Sequence, residues 1–228
     1  MKILHLFPDL MNLYGDYGNI TILVRHLKDL GIPVTVDQRD IDDLIDFPAY
    51  DLVYMGPGTE KNQLVALKEL RNYEYQLNEY ISDNKLLLLT GNAMELLGEK
   101  IDDEPALNLV DFQTEITDKR YTGDVIVRND TLGEVVGFIN KSSLIHGGEK
   151  DKLFTYTFKD SNLVDNSYEG YHFKNVYGTH IIGPVLVKNP SFLNLIVRSL
   201  ARSQYRSIEY PYEAAAYEVT LKSLKKRK

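Results

Sequence analysis

Apolar positions fall into two regimes along the chain. In the first half, short apolar runs alternate with longer segments in which apolar residues recur every three or four positions. Residues 2–7 (KILHLF), 33–39 (PVTVDQR), 50–58 (YDLVYMGPG) and 85–91 (KLLLLTG) read as strands, and residues 20–30, 63–82 and 93–101 as helices. Strands alternating with helices imply parallel pairing through right-handed crossovers. From about residue 110 the pattern changes to apolar–polar alternation. It runs through 112–130 (FQTEITDKRYTGDVIVRND), 132–140 (LGEVVGFIN) and 153–159 (LFTYTFK), as in antiparallel or mixed strands. Two more short strands are expected within 171–190, around Gly178, and a helix over 191–204. The expected fold class is α/β: an open, mostly parallel sheet flanked by helices, with a β-rich second half. Residues 1–205 read as one domain and 206–228 as a helical, basic tail.

The junction LLLLTGNAMELLG, residues 86–98, poses the chemical question. A buried strand breaks at Thr90-Gly91-Asn92 and resumes with helical spacing. In α/β enzymes such a turn, at the carboxyl end of a strand, often holds a nucleophile. Here it holds glycine and asparagine, and the 228 residues contain no cysteine. Disulfides and thiol chemistry are therefore excluded, and the composition fits a cytoplasmic protein. The net charge of −7 and pI of about 5.3 argue against nucleic acid, which needs a basic face. The one basic cluster, residues 222–228, reads as a solvated or frayed helix end. No apolar run is long enough to span a membrane, and the opening MKILHLFPDL is too short for a signal peptide.

Glycine turns follow three of the expected strands, at LYGDYGN, GPG and TGN. In an open parallel sheet these turns meet at the carboxyl edge, where ligands bind. YGDYGN lacks the lysine and spacing of a phosphate loop. His5, His26, His146, His172 and His180 show no HExxH pairing, so no metal site is expected, and nothing calls for a cofactor. His180 reads as a core or pocket-wall residue. No serine sits in GxSxG. The pairs Asp42-Asp43 and Asp102-Asp103 read as solvated surface.

PDLMNLYGDYGNI, MGPGTEKNQ, LTGNAMELLG, RYTGDVIV, GFIN and YGTHIIGPVLVKNP occur in the order in which class I glutamine amidotransferases carry their motifs. The chain resembles the cobyric-acid-synthase-like branch of that family over roughly residues 5–195. Within the branch it is similar to subunits that act with a Mur-ligase-like protein on a cell-wall precursor. The resemblance implies a flavodoxin-like fold, a cysteine thiolate that attacks the glutamine amide, a histidine base and backbone oxyanion donors. The family elbow, Cys-Gly-Gly-Tyr-Gln-x-Leu-Gly, set without a gap on GNAMELLG, puts Gly91 at the nucleophile and Glu95 at the glutamine. The family strand Gly-Thr-x-x-His-Gly-Pro, set on GTHIIGP, puts Ile182 at the base, with His180 two residues earlier. A further family stretch, near Gly-Phe-x-Asn-His, reads GFINK here, so Lys141 replaces a histidine.

The resemblance also assigns an oxyanion loop to Gly56 and Gly58, with Asn92 and Glu95 in the pocket. It assigns a substrate contact to Arg120, a pocket-wall place to Lys141 and His180, and partner docking to Tyr14, Asp16 and Tyr17. A one-residue slip would offer Thr90 as nucleophile, but needs an insertion in the elbow and a base that Ile182 is not. The favoured expectation is a noncatalytic, amidotransferase-like subunit that pairs with a Mur-ligase-like partner as a heterodimer. The alternative is an active amidotransferase that supplies ammonia from glutamine. An amide or other small molecule is the expected ligand.

Overall fold

A computed structural model of the protein describes residues 1–164 and 166–227. The parallel half is built from β1 (Lys2–Leu6), α1 (Gly18–Asp29), β2 (Thr35–Arg39), β3 (Leu52–Met55), α2 (Glu60–Leu70), α3 (Glu74–Ser82) and β4 (Leu86–Thr90). Its strands lie in the order β2-β1-β3-β4. Every residue of β3 and β4 is buried, as expected of parallel strands covered on both faces. The period of two sorts their side chains between the covers. Leu87 and Leu89 join a core with Leu67, Leu77 and Tyr80, whereas Leu86 and Leu88 join one with Leu23 and Leu27.

The rest of the sheet is formed by β5 (Lys100–Ile101), β6 (Glu104–Pro105), β7 (Phe112–Asn129), β8 (Gly133–Gly147), β9 (Lys152–Lys159), β10 (Tyr168–Phe173), β11 (Val176–Thr179) and β12 (Ile181–Ile182). β11 returns to pair in parallel with β4, and β10, β9, β7, β8 and β12 continue outward in antiparallel fashion. The short α4 (Val185–Lys188), then α5 (Pro190–Ala201), add Phe192, Leu193 and Ile196 to the α1 side of the core.

Two expectations change. The single helix over 63–82 is two, α2 and α3, divided at Arg71–Tyr73. The segment after the elbow is a 3-10 turn, Gly91–Leu97, followed by β5, rather than an α-helix. The carbonyls of Leu96, Leu97 and Gly98 accept amides from residues 107–110, so they are not available to continue a helix. The basic chain end keeps its described charges exposed, as expected, on a helix that is docked on the sheet. α6 (Pro211–Lys225) buries Leu221 and Leu224 against Ile126 and Val136, and Arg227 is paired with both Asp124 and Asp160.

Between β1 and β3 the connections leave in opposite directions, which opens a crevice at their carboxyl ends. The loop after β1 crosses it. The Leu13 amide donates to the Pro57 carbonyl (2.9 Å) and the Asn62 side chain to the Leu10 carbonyl (3.0 Å). Among the described residues no helix is long and apolar enough to cross a membrane.

Candidate functional site

The three glycine turns do converge. The loop after β1, the Gly56-Pro57-Gly58 turn after β3, the elbow after β4 and one face of β7 and β8 enclose a cleft of about 280 Å³. Tyr14, Gly58, Glu60, Gln63, Asn92, Glu95, Arg120, Asn140 and Lys141 are among its walls.

Gly91 holds a left-handed φ of +58°, the strained geometry of an elbow. A Cβ there would lie 2.5 Å from Pro57 Cβ and 3.3 Å from Ile182 Cγ2. Ile182 therefore faces Gly91 across the turn, and no group able to take a proton stands at that contact. The Gly58 amide donates to Asn92 Oδ1 at 2.9 Å, so a side chain of the protein already occupies this donor. Arg120 is likewise engaged, with Glu60 at 2.8 Å and Asn140 at 3.0 Å. The hydrogen bond from Ser142, then the Arg120 charge, hold the Glu60 carboxyl below its ordinary range despite partial burial.

Behind the cleft lies a buried polar cluster. Glu95, from the elbow turn, accepts from Gln63 Nε2 (2.7 Å) and Ser143 Oγ, and its Oε1 is 3.0 Å from His180 Nε2. His180 Nδ1 is 3.4 Å from Glu169, whose carboxylate also accepts from Thr179 Oγ1 and the His180 amide, both at 2.6 Å. Burial pushes Glu95 up, but the bonds from His180, Ser143 and Gln63 outweigh it and leave its pKa below the usual value. Lys141 is 9% exposed and feels the charges of both Glu95 and Glu169. His180 itself does not line the cleft; it lines a void of about 20 Å³ on the far side, shared with Lys141 and Glu169.

A second buried cluster supports the elbow from below. Asp16 Oδ2 accepts from both Tyr54 Oη and Thr90 Oγ1, and Asn19 bonds the Tyr54 hydroxyl at 3.1 Å. Burial raises the Asp16 pKa in spite of these bonds. The assignment of Asp16 to a docking surface is thus corrected: it is fully buried, because its carboxylate is the acceptor that ties β1, β3 and β4 together. Tyr14 and Tyr17 are exposed, at 48% and 57%. Thr90 has a carboxylate beside it, which sequence reasoning did not foresee, yet it is fully buried and off the cleft.

Glu169, Ser143, Gln63 and Tyr54 escaped sequence reasoning. Only Glu169 left a trace, as the single charge in the strand YEGYHF.

A nucleophile-elbow turn, a glycine loop beside it and a mixed sheet with this strand order define the fold of a glutamine amidotransferase. The family model for the CobB/CobQ-like glutamine amidotransferase domain matches residues 2–190, and the chain belongs to that family. It is 34% identical over 198 residues to the GatD subunit of lipid II isoglutaminyl synthase (glutamine-hydrolysing) of Staphylococcus aureus. That match covers 83% of this chain and 79% of the relative. The GatD subunit of the same synthase from Streptococcus pneumoniae is 28% identical over 227 residues, covering 96% and 86%. A solved glutamine amidotransferase matches in fold with a TM-score of 0.58 at 14% identity, covering 87% of this chain and 98% of its own. One from Thermotoga maritima gives 0.54 at 12%, covering 99% and 92%.

Proposed function

We propose that this chain is an amidotransferase-like subunit that does not hydrolyse glutamine. In this reading it binds and regulates a Mur-ligase-like partner in the amidation of a peptidoglycan precursor. The observation that carries the reading is the content of the elbow. Amide hydrolysis through an acyl-enzyme requires an attacking atom, a base beside it and free donors for the oxyanion. At Gly91 there is no side chain, and Pro57 and Ile182 fill the space where one would stand. Ile182 takes the place of the base, and Asn92 occupies the Gly58 amide. The cleft itself is kept, which supports binding without turnover.

The partner is inferred from the relatives, both of which are subunits of a lipid II isoglutaminyl synthase. Tyr14 and Tyr17, with Leu13 and with Val187 against Gly18, present the apolar surface that such a partner would cover.

The test is ammonia release from glutamine by the purified chain, alone and co-expressed with a Mur-ligase-like protein. No release is expected in either case, and the ligase should amidate its substrate with free ammonium but not with glutamine. Glutamine-dependent amidation would overturn the reading. One contact favours an active enzyme instead: the Thr90 hydroxyl on the Asp16 carboxylate is an alcohol with a base. A diazo-ketone analogue of glutamine separates the two, since only that alternative leaves an adduct on Thr90.

A further inference from the structure

Lys141 is unusual among the charged residues of the protein. Its neighbours in the buried cluster are fully engaged: both oxygens of Glu95 and both of Glu169 carry hydrogen bonds or an ion pair. The Lys141 side chain takes part in none of the hydrogen bonds or ion pairs among the described residues, although it is 9% exposed. It borders both the 280 Å³ cleft and the smaller void behind it, so a small molecule that enters the cleft meets this side chain. Burial lowers the Lys141 pKa, and the opposing charges of Glu95 and Glu169 do not fully restore it.

A desolvated amine at a cavity wall is the arrangement by which lysines become nucleophiles toward carbonyl groups. We infer that Lys141 forms a reversible imine with a small oxo acid that enters the cleft. The inference is independent of whether glutamine is hydrolysed. Nζ, as the free amine, adds to the carbonyl carbon, and the carbonyl oxygen gains a proton to give a carbinolamine. Loss of that oxygen as water, with the remaining amine proton, leaves a C=N bond. The balance is amine plus carbonyl to imine plus water, with no oxidant or reductant. Glu95 and His180, in contact with each other at 3.0 Å, are the nearby groups that can pass the protons.

The acid end of the ligand is argued from Arg120. It stands on the wall of the same cleft with its side chain 49% exposed, and only two of its five N–H donors are engaged, by Glu60 and Asn140. The cleft admits a molecule of a few heavy atoms between Arg120 and Lys141.

The experiment uses the full chain and glyoxylate, with sodium cyanoborohydride to reduce any imine to a stable secondary amine. Peptide mapping by mass spectrometry then compares modification of Lys141 with that of the exposed Lys119 and Lys150. At pH 7 Lys141 should be modified at least tenfold faster than either, and without reductant no adduct should survive. Pyruvate added beforehand should slow labelling of Lys141 and leave the surface lysines unaffected. Lys141→Arg should abolish the fast label while the circular dichroism spectrum stays unchanged. The wild-type map alone decides the matter if that variant does not fold. A Lys141 rate less than tenfold above the surface lysines overturns the inference, and so does labelling that pyruvate leaves unchanged.

Discussion

Gly91 and His5 show how much a single backbone angle or ring can determine. Gly91→Cys places a Cβ at φ +58° and 2.5 Å from Pro57, so it should cost about 1–3 kcal/mol of stability by chemical denaturation. It should release no ammonia, because Ile182 still faces it; Gly91→Cys with Ile182→His is the variant with a route to turnover. His5 lies in β1 beside Tyr54, with its Nε2 buried and unpartnered. Burial lowers its pKa from 6.5 to about 4. Since the unfolded chain takes the proton first, this ring's contribution is complete above pH 6.5 and is lost as pH falls toward 4. His5→Phe should remove about 2 kcal/mol of the stability difference between pH 7 and pH 5, and denaturant midpoints at both values would reveal it. At this scale the sequence was partly legible. Motif order singled out Glu95, Arg120 and Lys141, which line one cleft, and Gly91 in the turn beside it. The misplacement of Asp16 has a simple cause, since an aspartate in a glycine loop carries no mark of the two hydroxyls that draw it inward.

Among the elements, the strands of the parallel half were readable because burial on both faces makes them uninterrupted apolar runs. The elbow segment was misread for a different reason. Its helical spacing is real, but residues 107–110 take its carbonyls, and that competition is nonlocal. At the chain end the charges are exposed as their clustering suggested, but the docking of α6 and the pairing of Lys225 with Glu134 and of Arg227 with two aspartates are nonlocal. α6 should therefore be held by its apolar contacts more than by its charges, because exposed ion pairs contribute little. Leu221→Ala with Leu224→Ala should expose the α6 amides to hydrogen exchange and lower stability by roughly 2–4 kcal/mol. Arg227→Ala should change it by less than about 1 kcal/mol.

For the molecule as a whole, the surface around the crevice carries the testable claim of a partner. Tyr14→Ala with Tyr17→Ala should abolish co-purification with a co-expressed Mur-ligase-like protein and leave the thermal midpoint within a few degrees. Tyr14 makes one side-chain bond, from Asn140 at 3.1 Å, so its loss should cost little in folding. A collapse of the fold in the double variant would assign the two rings to local packing instead. The sheet order has a consequence for synthesis. β4, LLLLT, pairs on one side with β3 and on the other with β11, and Leu87 meets Val176. At ~5–20 residues per second, the ribosome needs roughly 5 to 20 s to travel from one to the other. Throughout that interval the nascent chain carries a strand with four consecutive leucines and an open edge, an arrangement prone to pairing with another copy. Newly made chains should therefore depend on a holding chaperone until residues 176–179 have emerged, and chains cut short before them should be recovered as aggregate.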